Sequence, residues 1–345
     1  MGCAVRALNH CGIVFGALLV AGCASAARAA DAAPGPLIAL TGPGSELRAE
    51  IAPQNGAELV GLEFRYRGQW IELLYRGMDF SATTDWDGKA PILWPATGRN
   101  ATVDPATGKK APGWLWKGTF YPIPIHGFAR DLPWQVVGQS ETAEGKTVTL
   151  AFSDNAQTRK AYPFGFRITT DYVVGRTTLT IHQRVHAVAD NASPMPFSIG
   201  NHMTYKLPLV PGGAADAVKF STAATRQLLL DDGGYPTGQS APFGAETPRP
   251  VSDLGTRKAV SLTGFSGEPA VKIIDPSGLT LTVSHHESRR PSGDPVYFNL
   301  WGDTATGFLA PEPWAGKQNS LVMQDGTVQL EPGADFDWTI TVSLR

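Results

Sequence analysis

Four short stretches set a side chain able to move a proton or bind a hydroxyl beside residues that restrict the backbone. Arg99 lies in "PILWPATGRN", His126 in "YPIPIHGFARDLPW", His202 in "MPFSIGNHMTY" and Glu312 in "APEPWAG". Each sits next to Gly or Pro at the edge of a strand-like run, where a rigid sheet can hold a side chain at a cleft without burying it unpaired. Singly, each has a plainer explanation: a surface arginine, a structural histidine bonded to a carbonyl, an exposed loop carboxylate. Together, one carboxylate, two imidazoles and a guanidinium with tryptophans nearby make a sufficient set for a sugar site, with aromatic rings for the apolar face of a pyranose and charged forks for its hydroxyls.

The elements that must position these groups read as strands. The 38 glycines and 27 prolines are spread along the chain, and between them lie short segments of alternating polarity, not long segments of helical period. In "TTLTIHQRVHAV", Leu179, Ile181, Val185 and Ala187 share one face, while His182 and His186 fall on the other, as residues of a solvated face. Similar alternation recurs from about residue 46 to the last residue, with no shift of composition to divide it. The expected fold class is all-β: one large domain, residues 31–345, of packed antiparallel sheets in a β-sandwich. The irregular stretch from Ala90 to Trp116 carries Trp94, Trp114 and Trp116 and is expected to form an ordered wall.

Composition and the chain's start narrow the function classes. Arg6 precedes an uncharged stretch, Ile13 to Ala21, too short to span a bilayer, so residues 1–30 read as an export signal. "LVAGC" resembles a lipobox that would lipidate Cys23, whereas "ASA" and "ARA" suit ordinary signal peptidase. The expectation is therefore an exported protein, periplasmic or anchored to a membrane by lipid at Cys23, with no transmembrane span. All three cysteines lie in this leader, which leaves the rest of the 345 residues without a disulfide, a thiolate nucleophile or a cysteine metal site. A net charge of -2 without a Lys/Arg cluster argues against nucleic acid, and a neutral small molecule fits better. No metal is expected: in "HHE", His285 to Glu287, neighbouring residues of a strand point to opposite faces and no third ligand of suitable spacing follows.

The ordered series "WP-x-x-GR", "HGFAR-x-x-x-W", "YPFGF", "MPFSIGNHMTY", "EPWAG" and "LEPGADF" resembles the aldose 1-epimerase (galactose mutarotase-like) family over almost the whole chain. The resemblance implies a large antiparallel β-sandwich and an isomerase without cofactor. By resemblance His202 is the general acid, Glu312 the general base, and Arg99 and His126 bind the sugar. The family's sugar-contacting acid has Asp253 in "VSDLG" as its counterpart here, with Asp275 in "KIIDPSG" as rival. The chain has "NHMTYKL" where galactose-type members usually carry Phe after the tyrosine, which leaves the preferred aldose open. Mutarotation opens a cyclic hemiacetal by removing the C1 hydroxyl proton while the ring oxygen gains one, so a carboxylate and an imidazolium on opposite sides of the sugar are the natural pair. A monomer or weak dimer is expected. The competing readings are a hexose-phosphate epimerase and a non-catalytic carbohydrate-binding lipoprotein.

Overall fold

The structure is a computed structural model that describes residues 35–76, 86, 88–143 and 145–345. The leader, residues 1–30 with Cys23, lies outside the described residues. The fold is an antiparallel β-sandwich, and its two large sheets share one apolar core. The first sheet has nine strands, with Phe166–Val174, Thr178–Ala187, Asp335–Leu344 and Thr280–Glu287 adjacent at its centre. Their alternation is the one the sequence shows: Leu179, Ile181, Val185 and Ala187 are buried, as are Phe336, Trp338, Ile340, Val342 and Leu344. The opposite face carries His186, bonded to Asp335 at 2.8 Å, and His182, 3.4 Å from Asp337. His285 and His286 do point apart. His285 is buried, with Nε2 2.8 Å from the Tyr297 carbonyl and Nδ1 accepting from the Trp338 indole at 3.0 Å.

The second sheet positions the site. Its order runs Pro236–Pro242, Arg226–Leu230, Val260–Thr263, Val296–Asp303, Phe308–Gly316, Ile199–Asn201 and Ile92–Leu93. All nine residues of Phe308–Gly316 are buried, so this strand is covered on both faces. Leu262, Phe298, Leu300, Leu309 and Ala315 join the sandwich core. The period of two then turns Asn299, Trp301, Glu312 and Trp314 to the other face, where they line a cavity. Register decides who meets whom there. Ser261 pairs with Asn299, and Asn299 with Glu312, so these three form a row across neighbouring strands. On the other side Ile199 pairs with Ala315 and Gly200 with Trp314; continued by two residues, that register brings His202 level with Glu312.

Trp94, Trp114 and Trp116 are ordered as expected, but their place differs. Trp94 and Trp114 are fully buried in the core and pack on Tyr162, Phe164 and Phe166. They support the cavity from behind, and the indoles that line it are Trp86, Trp301 and Trp314.

Candidate active site

One cavity of about 640 Å³ takes in Arg99, His126, His202 and Glu312, four of the five residues singled out from the sequence. His126 occupies the turn between an apolar run and a glycine, and local geometry explains that position. Its backbone is left-handed, with φ 64°, and is followed by Gly127 at φ 73°. A Cβ on Gly127 would lie 1.9 Å from the Trp94 carbonyl oxygen, so only glycine fits. The turn is clamped to Gly98 from both sides: the His126 N–H donates to the Gly98 carbonyl at 2.9 Å, and the Gly98 N–H donates to His126 Nδ1 at 3.0 Å. With Nδ1 accepting, a neutral His126 carries its proton on Nε2. Burial and the neighbouring His202, Arg130 and Arg99 hold its basicity well below the usual histidine range, so it stays a neutral donor.

His202 and Glu312 stand side by side, His202 Nε2 being 3.6 Å from Glu312 Oε1, and both side chains are almost wholly buried. They do not face each other across the cavity as the sequence reading expected. Adjacent placement suits two oxygens that share one anomeric carbon. Glu312 Oε1 accepts from Asn299 Nδ2 at 2.8 Å and Oε2 from the Trp314 indole N–H at 3.2 Å. Thr204 Oγ1 donates to the Lys89 carbonyl at 2.8 Å and lies 3.4 Å from His202 Nδ1. Nδ1 is then the nitrogen that donates, and Nε2 turns its lone pair toward Glu312.

Burial sets the proton balance of this pair. Desolvation pushes Glu312 up to about 8 despite its two hydrogen bonds, and lowers His202 to about 4. At neutral pH the pair holds one acidic proton, and it rests on Glu312. Trp86 covers the imidazoles: it stacks on His202 at 5.2 Å between centroids and meets His126 edge-on at 4.4 Å. The Arg130 guanidinium lies 4.0 Å from the Trp86 ring centroid, a cation–π contact behind the site.

His126, His202 and Glu312 offer donor atoms within 4.8 Å of one another, the residue types of a two-histidine, one-carboxylate metal centre. The Gly98 N–H argues against that use. While Nδ1 accepts it, Nε2 must keep its proton and has no lone pair for an ion.

Neither candidate sugar-contacting acid lines the cavity, although Asp253 lines an adjoining pocket that shares Lys258 and Ala259 with it. Asp253 sits on the short turn Val251–Leu254, largely exposed, and accepts from Arg249 Nε at 3.2 Å. Asp275 is buried and accepts the Leu209 N–H at 2.7 Å and the Ser277 N–H at 2.9 Å, which ties two loops together. Among the described residues, the cavity carboxylates besides Glu312 are Asp231 and Asp232, in the hairpin turn after Arg226–Leu230. Asp231 shapes that turn by accepting the Gly233 and Tyr235 N–H groups, both at 2.9 Å. The sequence reading missed Trp86, Asn299, Trp301 and Gln318. A signal existed for one of them: an amide in the middle of the apolar strand "VYFNLWGD" is uncommon enough to mark Asn299.

The comparisons with known proteins bear on the family and on the fold. The aldose 1-epimerase profile matches residues 45–331, and the chain belongs to that family, which is a family of isomerases. A protein of Escherichia coli (strain K12) named "Putative glucose-6-phosphate 1-epimerase" is 28% identical over 90 residues, 26% of this chain and 24% of that protein. Its namesake from Salmonella typhimurium (strain LT2) is 29% identical over 148 residues, 42% of each chain. Both matches span less than half of the relative's length. The X-ray structure of the galactose mutarotase related enzyme from Lactobacillus acidophilus superposes with a TM-score of 0.73 at 19% identity, over 90% of this chain and 97% of that one. The fold is thus galactose mutarotase-like.

Proposed function

We propose that this protein is an aldose 1-epimerase that interconverts the α and β anomers of a free aldose. The observation that carries this reading is the buried pair, His202 Nε2 3.6 Å from Glu312 Oε1, in one cavity with His126 and Arg99. Ring opening needs one base for the C1 hydroxyl proton and one acid for the ring oxygen, and a pair holding a single proton supplies both. From the resting form, Glu312 can protonate the ring oxygen while His202 Nε2 accepts the hydroxyl proton. The roles expected by resemblance, His202 as acid and Glu312 as base, follow once hydrogen bonds from sugar hydroxyls favour the carboxylate and move the proton to His202. Closure on the other face of the aldehyde reverses the transfers. His126 Nε2–H and Arg99 hold oxygens in place, Arg99 as a fork of donors that binds and orients.

The test is anomer exchange, followed by polarimetry of freshly dissolved α-glucose or α-galactose and by saturation-transfer NMR across several aldoses. Glu312→Gln and His202→Asn are each expected to lower the catalysed rate by about 10²–10⁴-fold. Full activity in both variants would remove the proposed pair. Sugar binding with exchange at the uncatalysed rate in the unaltered protein would instead support a carbohydrate-binding role.

A phosphorylated hexose is a second reading, favoured by Arg99, Arg257 and Lys258 on the cavity wall and by the name of the enterobacterial relatives. It requires glucose 6-phosphate to be turned over with a higher kcat/KM than glucose. Export, with Cys23 as a lipid attachment site, is proposed from the leader alone. The mass of the mature N-terminus in a bacterial host decides among lipidation at Cys23, cleavage after "ASA" or "ARA", and no processing.

A further inference from the structure

Behind His202 runs a hydrogen-bonded chain that the acid–base pair itself does not use. It starts at Glu58, the first residue of the strand Glu58–Tyr66, where Oε1 accepts the Ala90 N–H at 2.9 Å. The same peptide unit carries the Lys89 carbonyl, which accepts from Thr204 Oγ1 at 2.8 Å. Thr204 Oγ1 in turn lies 3.4 Å from His202 Nδ1. Glu58, Lys89, Ala90, Thr204 and His202 are all buried, so these bonds form with little competition from water.

Strand pairing sets up the meeting. Ile92 pairs with Asn201, and the His202 N–H donates to the Pro91 carbonyl at 3.1 Å; carried on by two residues, that register puts Thr204 level with Lys89. Residues two apart on an extended chain share a face, which sets the Thr204 hydroxyl beside the His202 ring. That hydroxyl has one proton and three neighbours: the Lys89 carbonyl at 2.8 Å, the His202 carbonyl at 3.3 Å and His202 Nδ1 at 3.4 Å. Neither carbonyl can donate, and the shortest contact takes the proton. A lone pair on Nδ1 would then oppose the lone pairs of the hydroxyl, so the ring proton belongs on Nδ1, and Nε2 is left as the base beside Glu312. The peptide unit strengthens this choice, because an amide whose N–H is held by a carboxyl group is a better acceptor at its carbonyl.

We propose that Thr204 and Glu58 are positioning residues for His202: Thr204 fixes the imidazole with its proton on Nδ1, and Glu58 reinforces that choice through the Lys89–Ala90 peptide unit. Neither residue lines the cavity. The inference rests on the acid–base reading of His202 and names the groups that make Nε2 the reacting nitrogen. A peptide unit stands here where other sites place a carboxylate directly on the imidazole.

The experiment reads nitrogen NMR of protein labelled in its histidine rings, at neutral pH and without sugar, with His202→Asn identifying the His202 signals. Alongside it, kcat and KM are measured for anomer exchange. The unaltered protein should show a proton on Nδ1 and none on Nε2. Thr204→Val, which keeps the shape and removes the hydroxyl, should bring in the Nε2–H tautomer and lower kcat by about 10–100-fold with KM little changed. Thr204→Ser should recover both. Glu58→Met, which removes the carboxyl that holds the Ala90 N–H, should move the tautomer balance the same way to a smaller extent, and Glu58→Gln, which keeps an acceptor, should restore it. In protein that already carries Thr204→Val, Glu58→Met should add nothing, since both act through one chain. A ring that keeps its proton on Nδ1 in Thr204→Val, with kcat undiminished, would overturn the inference; so would Thr204→Ser as impaired as Thr204→Val, the mark of a packing role. An equal Glu58→Met effect with and without the Thr204 hydroxyl would remove Glu58 from the chain. Thr204→Ala and Glu58→Ala replace either variant that fails to fold. Because the tautomer is read without sugar, absence of catalysed exchange sinks the epimerase reading alone, and the spectrum still decides what Thr204 and Glu58 do.

Discussion

Glu312 and His202 are two ordinary acid–base side chains whose properties are exchanged by burial. In water the carboxylate is the ionised partner near neutrality and the imidazole the group nearer its titration point. Inside this cavity both charged forms are penalised, so the carboxyl keeps its proton up to about 8 and the imidazole stays neutral down to about 4. The catalysed rate should therefore follow a bell in pH. Below the lower limit both groups carry protons and no base remains; above the upper limit neither does and no acid remains. At 3.6 Å the two titrate as a coupled pair, and the limits, near pH 4 and pH 8, belong to the pair. A pH–rate profile of kcat/KM, corrected for buffer catalysis, measures them. A single limb centred near pH 6.5, the titration of an unperturbed histidine, would contradict the buried pair.

At the scale of elements, the site is a register phenomenon. Strand pairing sets Ser261, Asn299 and Glu312 abreast and brings His202 level with Glu312 from the next strand, while His126 is supplied by a turn clamped to Gly98. That turn makes a sharp prediction. Gly127→Ala forces a Cβ against the Trp94 carbonyl in a backbone conformation that disfavours any side chain, and is expected to destabilise the fold by about 3 kcal/mol or more. Urea denaturation reads the loss, and His126 should be displaced enough to lower sugar affinity. Gly118→Ala supplies a control, having positive φ but open space around its Cβ, and should show the smaller backbone effect alone.

For the whole molecule, buried carboxyls link stability to pH. Glu58 is buried, accepts the Ala90 N–H at 2.9 Å, and is pushed by desolvation up to about 7. The folded state thus holds a proton that the unfolded chain releases above about 4.5, so the contribution of Glu58 to stability declines as pH rises from there and levels off above about 7, while the lowered His202 and His126 act in the opposite direction up to about 6.5. Glu58 alone accounts for about 3 kcal/mol of that decline, and Glu312 acts in the same direction. Glu58→Gln should flatten the fall by roughly its share in urea titrations at pH 5 and pH 7.5; an unchanged slope would show that Glu58 is ionised when folded. What the sequence by itself determined was the strand alternation and the four motif residues, because a period of two and a Gly- or Pro-restricted neighbour are local properties of the chain. Tertiary structure decided the rest. Asn299 and Trp301 join the cavity through strand register, Gln318 through the turn that follows Phe308–Gly316, Trp86 through packing on the imidazoles, and Asp231 and Asp232 through the place of one hairpin turn. Local pattern carries no record of which turn borders which cavity, which is why Asp253 and Asp275 were chosen from sequence and lie elsewhere. The same holds for the proton on Glu312, since depth of burial belongs to the folded molecule and to no residue read alone.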